Sequence, residues 1–140
     1  MPYQPVTHVS NAYPRTIYAR VEVDRVYLEK IHVEMSEEFE KQKASGGGGA
    51  EWKIIEKVAT SKGFTKIMTR QFLPFKPQSN QPNVYVSITT VDEYGNKDDI
   101  AMAHPLVPND SVIVSAEGQM HLGRKGDLWV DANNINHKTW

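Results

Sequence analysis

Cations and aromatic rings interleave at two places in this sequence, and that pairing suits one chemistry, the gripping of a polyanion. One place is the run Lys66, Arg70, Phe72, Phe75 and Lys76, held on a proline-bearing segment. The other is the glycine-bounded turn Gly123-Arg124-Lys125-Gly126, with Trp129 just behind it. Tyr85 and Tyr94 offer further rings. Such residues suit single-stranded nucleic acid: cations release counterions from phosphates, and bases stack on aromatic faces for roughly 1–3 kcal/mol each. Each residue also has a plainer reading, with Phe72 and Trp129 in the core, Tyr85 half-buried and the lysines merely solvated. The carboxylates of Asp92, Glu93, Asp98 and Asp99 sit on a neighbouring turn and would oppose a polyanion.

Other chemistries find less support. His8, His32, His104, His121 and His137 lack metal-ligand spacing and show no helical pairing with a carboxylate. Glu37-Glu38 and Asp98-Asp99 read as surface charge, since acid–base work needs carboxyls with divergent pKa values in a cleft. No serine stands in a Gly-x-Ser-x-Gly elbow, and Gly46-Gly47-Gly48-Gly49 is not followed by the Gly-Lys-Ser/Thr of a phosphate loop. The sequence predicts a chain that is not an enzyme and carries no metal or cofactor.

With 140 residues, 39% of them hydrophobic and 24% charged, the chain is long enough for one self-sufficient core. A formal net charge of −1 provides no global field for nucleic acid, so any anion site must be a local patch. No apolar run approaches the roughly 20 residues of a membrane helix, and the N-terminus lacks the form of a signal peptide. The absence of cysteine excludes disulfides, thiol nucleophiles and Cys-based zinc sites. Together these predict an intracellular, reducing location away from membranes.

The elements that must position the candidate residues read as mostly β. Residues 1–15 hold three prolines and no periodicity, which predicts an extended arm. From Thr16, Ile17, Ala19, Val21 and Val23 alternate with Tyr18, Arg20 and Glu22, and Ile31, Val33 and Met35 alternate with His32 and Glu34. Slips near Asp24-Arg25 and Glu29-Lys30 fit one bulged strand or two joined tightly. A flexible glycine loop is expected over 43–50, whether natural or an engineered linker. Glu51–Ser61 is the best helix, with Trp52, Ile55 and Val58-Ala59 on one stripe and a stop at Lys62-Gly63. Strands are expected over Phe64–Phe72, Val84–Ile88 and Asp99–His104, with a loop from Pro74 to Pro82 and a turn from Asp92 to Asn96. A final hairpin would pair Val112–Met120 with Asp127–Ala132 around the basic turn.

From about Phe64 onward this pattern resembles the second half of a single-stranded-DNA-binding OB domain (SSB-like). Val84-Tyr-Val-Ser-Ile88 precedes a polar turn with Gly95-Asn96, Leu106–Val114 leads to Glu117-Gly118, and Leu128–Ile135 ends as the last barrel strand of that family ends. The resemblance covers roughly half the chain, and Thr16–Met35 does not read clearly as its first strand. It implies a mainly β fold, a five- to six-stranded OB-like barrel with one helix over 16–136, followed by a 137–140 tail. It implies a non-catalytic module for single-stranded DNA or RNA, working as a subunit of a larger assembly. Lys66, Arg70, Phe72, Phe75, Lys76, Tyr85, Arg124, Lys125 and Trp129 would form its site. The rival expectation, supported by near-neutral charge and the acidic turn, is a protein-interaction or structural module with a protein partner or a homo-oligomeric state.

Overall fold

A computed structural model describes residues 6–46, 50–76, 83–107, 110–123, 127–131, 133 and 135–138. The described residues are mainly β. A first sheet orders β4 (Phe72–Phe75), β1 (Thr7–Asn11), β7 (Ser111–Val114) and β8 (Met120–Gly123). In it β1 and β7 run parallel and the other neighbours antiparallel. A second, wholly antiparallel sheet orders β3 (Thr65–Ile67), β2 (Ile17–Glu22), β5 (Val84–Val91) and β6 (Lys97–Leu106). β9 (Asp127–Val130) and β10 (Asn136–Lys138) form a small antiparallel pair, and β9 packs against β1 and β7. Two helices complete the described fold, α1 (Arg25–Gly46) and α2 (Glu51–Ser61).

Strand alternation explains the layering. Ile17, Ala19 and Val21 of β2 point to the first sheet and meet Val9, Val112 and Val114 in the core between the sheets. On the opposite face of β2, Tyr18 packs with Met35 and Phe39 of α1 and with Ile55, Val58 and Ala59 of α2. The order of layers is therefore helices, second sheet, first sheet. In β6 an extra residue, Ile100, lies between the partners of Thr89 and Ile88. This bulge lets Asp99 face α1 while Ala101 faces the core.

Several expectations need correction. The described strands form separate sheets and do not close into a barrel, and they include two helices rather than one. Part of the expected arm is β1, in which Val9, Ser10 and Asn11 are fully buried. The expected second strand near Ile31–Met35 is helix α1, which runs into the predicted glycine loop as far as Gly46. Its buried positions Leu28, His32, Met35 and Phe39 recur at helical spacing, and Asp24 caps the first turn by accepting from the Tyr27 backbone N–H at 3.1 Å. The expected Phe64–Phe72 strand breaks at residues 68–71 into β3 and β4, and β4 takes in Pro74 and Phe75 from the expected loop. β8 and β9 belong to different sheets, so the predicted closing hairpin is replaced by β7–β8 and β9–β10 hairpins. The expected tail contributes to β10. No helix among the described residues is long and apolar enough to cross a membrane.

Candidate interaction groove

Segment 11–16 bridges the two sheets, and buried Asn11 organises it. Its Nδ2 donates to the Arg15 carbonyl at 2.8 Å and the Ile67 carbonyl at 3.0 Å, while its Oδ1 accepts from the Tyr13 N–H at 2.9 Å. Thr90 Oγ1 donates to the Thr16 carbonyl at 2.7 Å, and Arg15 Nε donates to the Val91 carbonyl at 2.8 Å. Arg15 is thereby fixed between β2, the end of β5 and the first turn of α2.

Three adjoining depressions meet at Arg15. The first, about 330 Å³, has Tyr18, Trp52, Ile55 and Lys66 among its walls. The second, about 300 Å³, shares Arg15, Trp52 and Val91 with it and adds Glu51 and Tyr94. The third, about 380 Å³, lies among Tyr13, Pro14, Asp92, Glu93 and Tyr94. Two large rings stand out from this groove, Trp52 at 55% exposure and Tyr94 at 79%. Aromatic rings are enriched at protein contact sites, and these two border one concave surface.

Hydrogen bonds close the Tyr94 turn. Asp92 Oδ1 accepts from the Tyr94 and Asn96 backbone N–H groups, both at 2.9 Å, and the Asp92 and Asn96 backbones pair as well. Gly95 has φ +83°, and a Cβ there would come within 2.8 Å of Glu51 Cδ. Gly95→Ala should therefore cost about 1–2 kcal/mol for the left-handed backbone alone and push Glu51 out of the groove wall. An unchanged urea midpoint would contradict this.

Four carboxylates, Glu51, Glu56, Asp92 and Glu93, line the groove with Arg15 and Lys66. Lys53 Nζ lies 5.3 Å from the Trp52 ring and Lys43 Nζ is held by the Gly95 carbonyl, so unbalanced negative charge gathers at the Asp92–Glu93 end. Lys66 is already paired to Glu56 at 2.7 Å. The Tyr13 hydroxyl records the local field. Burial raises its pKa most, Arg15 opposes the rise, and Asp98, Asp92 and Glu93 add to it. Tyr18, on the floor beneath Trp52, is pushed up to about 12 by burial and by Glu56.

A separate polar cluster lies between α1 and β6. Asp99 Oδ1 accepts from His32 Nε2 at 2.7 Å, from Lys97 Nζ at 2.5 Å and from Thr89 Oγ1 at 3.1 Å. Burial disfavours its carboxylate, but the hydrogen bonds and charges of His32 and Lys97 prevail and hold its pKa well below the usual carboxyl range. An ionised carboxylate only accepts, so His32 Nε2 carries a proton in this contact. His32 has no exposed surface, and the cluster fastens α1 to the second sheet. Among the described residues, no three metal-ligating side chains are grouped to hold an ion.

Among the described residues, those singled out for nucleic acid do not share one face. Lys66 is on the helix side of the second sheet beside Glu56, and Tyr85 lies half-buried in the same sheet beneath Arg25 at 6.0 Å. Phe75 packs into the core between the sheets, whereas Phe72 lies across β4 on the other face, against His8 at 5.9 Å. Arg70 sits exposed at φ 66°, donating its N–H to the Asn11 carbonyl at 2.7 Å, and Lys76 is exposed just past the other end of β4. Trp129 is half-buried on β9 opposite His137. Arg124 and Lys125 lie outside the described residues. Tyr13, Arg15 and Trp52 were not expected at a site. Arg15 fell in the presumed arm, and Trp52 shares a stripe with Ile55 that reads as core. No family model, curated protein or solved structure matches the chain.

Proposed function

We propose that the chain is a non-catalytic interaction module that docks a segment of a partner protein in the groove centred on Arg15. The observation that carries this reading is the continuity of three depressions beneath two protruding rings, Trp52 and Tyr94. Large aromatics contribute most of the energy at protein contacts, because they bury much area for little lost side-chain freedom. The carboxylates at the Asp92–Glu93 end disfavour a polyanion, and the described cations named for nucleic acid, Lys66, Arg70 and Lys76, lie apart.

Selection of a displayed library of random 12-residue peptides on the immobilised protein tests this reading. Enriched clones should bind wild type and lose binding to a Trp52→Ala, Tyr94→Ala double variant whose thermal unfolding is unchanged. No enrichment, or clones indifferent to the two substitutions, would overturn it. A labelled single-stranded oligonucleotide should show no anisotropy change at low salt. Salt-sensitive binding lost on replacing Arg70 and Lys76 would favour the nucleic-acid module instead.

A further inference from the structure

Deepening the docking reading on which it rests, the geometry points to a basic, proline-bearing extended segment of a partner protein as the occupant of the groove. The first argument concerns backbone. Adding a strand to a sheet needs unpaired main-chain groups, yet at the end of β5, where the three depressions meet, those of Val91 and Asp92 are engaged. The Val91 carbonyl accepts from Arg15 Nε, the Asp92 N–H donates to the Asn96 carbonyl, and the Asp92 carbonyl accepts from the Gly95 N–H. Recognition at this end of the groove therefore runs through side chains. A polyproline II segment suits this, because it needs no hydrogen-bond ladder, enters with little entropy to lose and lays flat rings on aromatic walls.

The second argument concerns charge and its position. Glu93 is exposed, and among the described residues it forms no ion pair. It stands with Asp92 beside Tyr94 at one end of the groove. The field of Asp92, Glu93 and Asp98 is felt as far as the Tyr13 hydroxyl. At the groove's other end Glu56 is occupied by Lys66, and at its centre Arg15 repels a second cation. A lysine or arginine of the occupant is thus directed to the Glu93 end, and its prolines to Trp52. Each depression alone sits at the lower limit of volume for enclosing a small molecule, whereas a chain crossing all three places a side chain in each.

The test uses peptides recovered from the unbiased library on the whole chain. Groove-dependent clones should be enriched in proline together with lysine or arginine. Replacing their prolines by alanine, or their cation by glutamate, should weaken binding to wild type. Glu93→Lys, a substitution on an exposed turn, should weaken the basic peptide about fivefold to tenfold and recover the glutamate version. Resonances of the Trp52 indole and Tyr94 should shift on binding. Groove-dependent clones that are acidic, or that keep their affinity without proline, would overturn this inference and leave the docking reading standing. An absence of groove-dependent clones of any kind would remove both. Clones displaced by the chain itself, with concentration-dependent light scattering, would replace the foreign segment by a second copy and equally overturn it.

Discussion

Phe39→Ala is expected to lower the unfolding free energy by about 3–5 kcal/mol, the range for truncating a fully buried phenylalanine. Phe39 has no exposed surface, and its cluster joins Met35 of the same helix to Ile55, Val58 and Ala59 of α2 and to Tyr18 and Val91 of the second sheet. Two helices and a sheet thus meet at one ring. Removing the ring leaves a cavity that two helices and a twisted sheet cannot all collapse to fill. Against a typical domain stability of roughly 5–15 kcal/mol, this is a large loss. Urea denaturation at neutral pH measures it, with Val26→Ala as a control, since Val26 is 76% exposed and should change stability by less than about 0.5 kcal/mol. A loss below 1 kcal/mol for Phe39→Ala, on the order of an exposed site, would mean that α1 does not pack as described.

The same cluster supports the groove. Tyr18, Ile55 and Val91 contribute to both the packing around Phe39 and the first depression, so Trp52 projects from a helix whose inner face is anchored. The first turn of α2 and the Asp92–Asn96 turn are brought together by elements far apart in sequence. Lys43, late in α1, reinforces this by donating to the Gly95 carbonyl at 3.1 Å.

What was legible in the sequence follows from which residues obey a single period. Glu51–Ser61 is a helix at the bounds expected, because Ile55, Val58 and Ala59 form a buried stripe and Gly63, at φ +79°, ends it. The alternation of Ile17, Ala19 and Val21 likewise gives the inward face of β2. α1 was misread because its buried stripe contains a histidine. With His32 counted as polar, Ile31, Val33 and Met35 mimic a period of two, although Val33 is in fact 43% exposed. β1 was missed for a related reason, since Thr7, Ser10 and Asn11 are polar residues buried in a central strand. At the C-terminal side two glycine signals competed. The turn forms around Gly118, at φ +79°, and joins β7 to β8. The groove was illegible because Arg15, Trp52 and Tyr94 converge only through tertiary packing.

His32 is also the centre of the second large effect. Asp99→Ala should cost about 3 kcal/mol, because it strips the partner from a fully buried imidazole and from the Lys97 ammonium, whose side chain is only 8% exposed. His32 Nδ1 already has no hydrogen-bond partner, so the substitution leaves both ring nitrogens unsatisfied. His32→Leu should be far milder, since it extends the apolar stripe of Leu28, Met35 and Phe39 and leaves Asp99 with Lys97 and Thr89. Added to Asp99→Ala, it should recover about 1–2 kcal/mol, the part owed to the orphaned imidazole. The native carboxyl also makes a pH signature. Its pKa in the folded state lies below the ordinary 3.8, so its contribution is complete well above that value and is lost as pH falls through and beneath it. Wild type should therefore lose stability on acidification more steeply than Asp99→Asn, which keeps an acceptor for His32 but does not titrate. Urea midpoints for the five proteins between neutral and acid pH measure both effects. Parallel pH curves for wild type and Asp99→Asn, or a double variant no more stable than Asp99→Ala, would show that the contact between α1 and β6 does not depend on this pair.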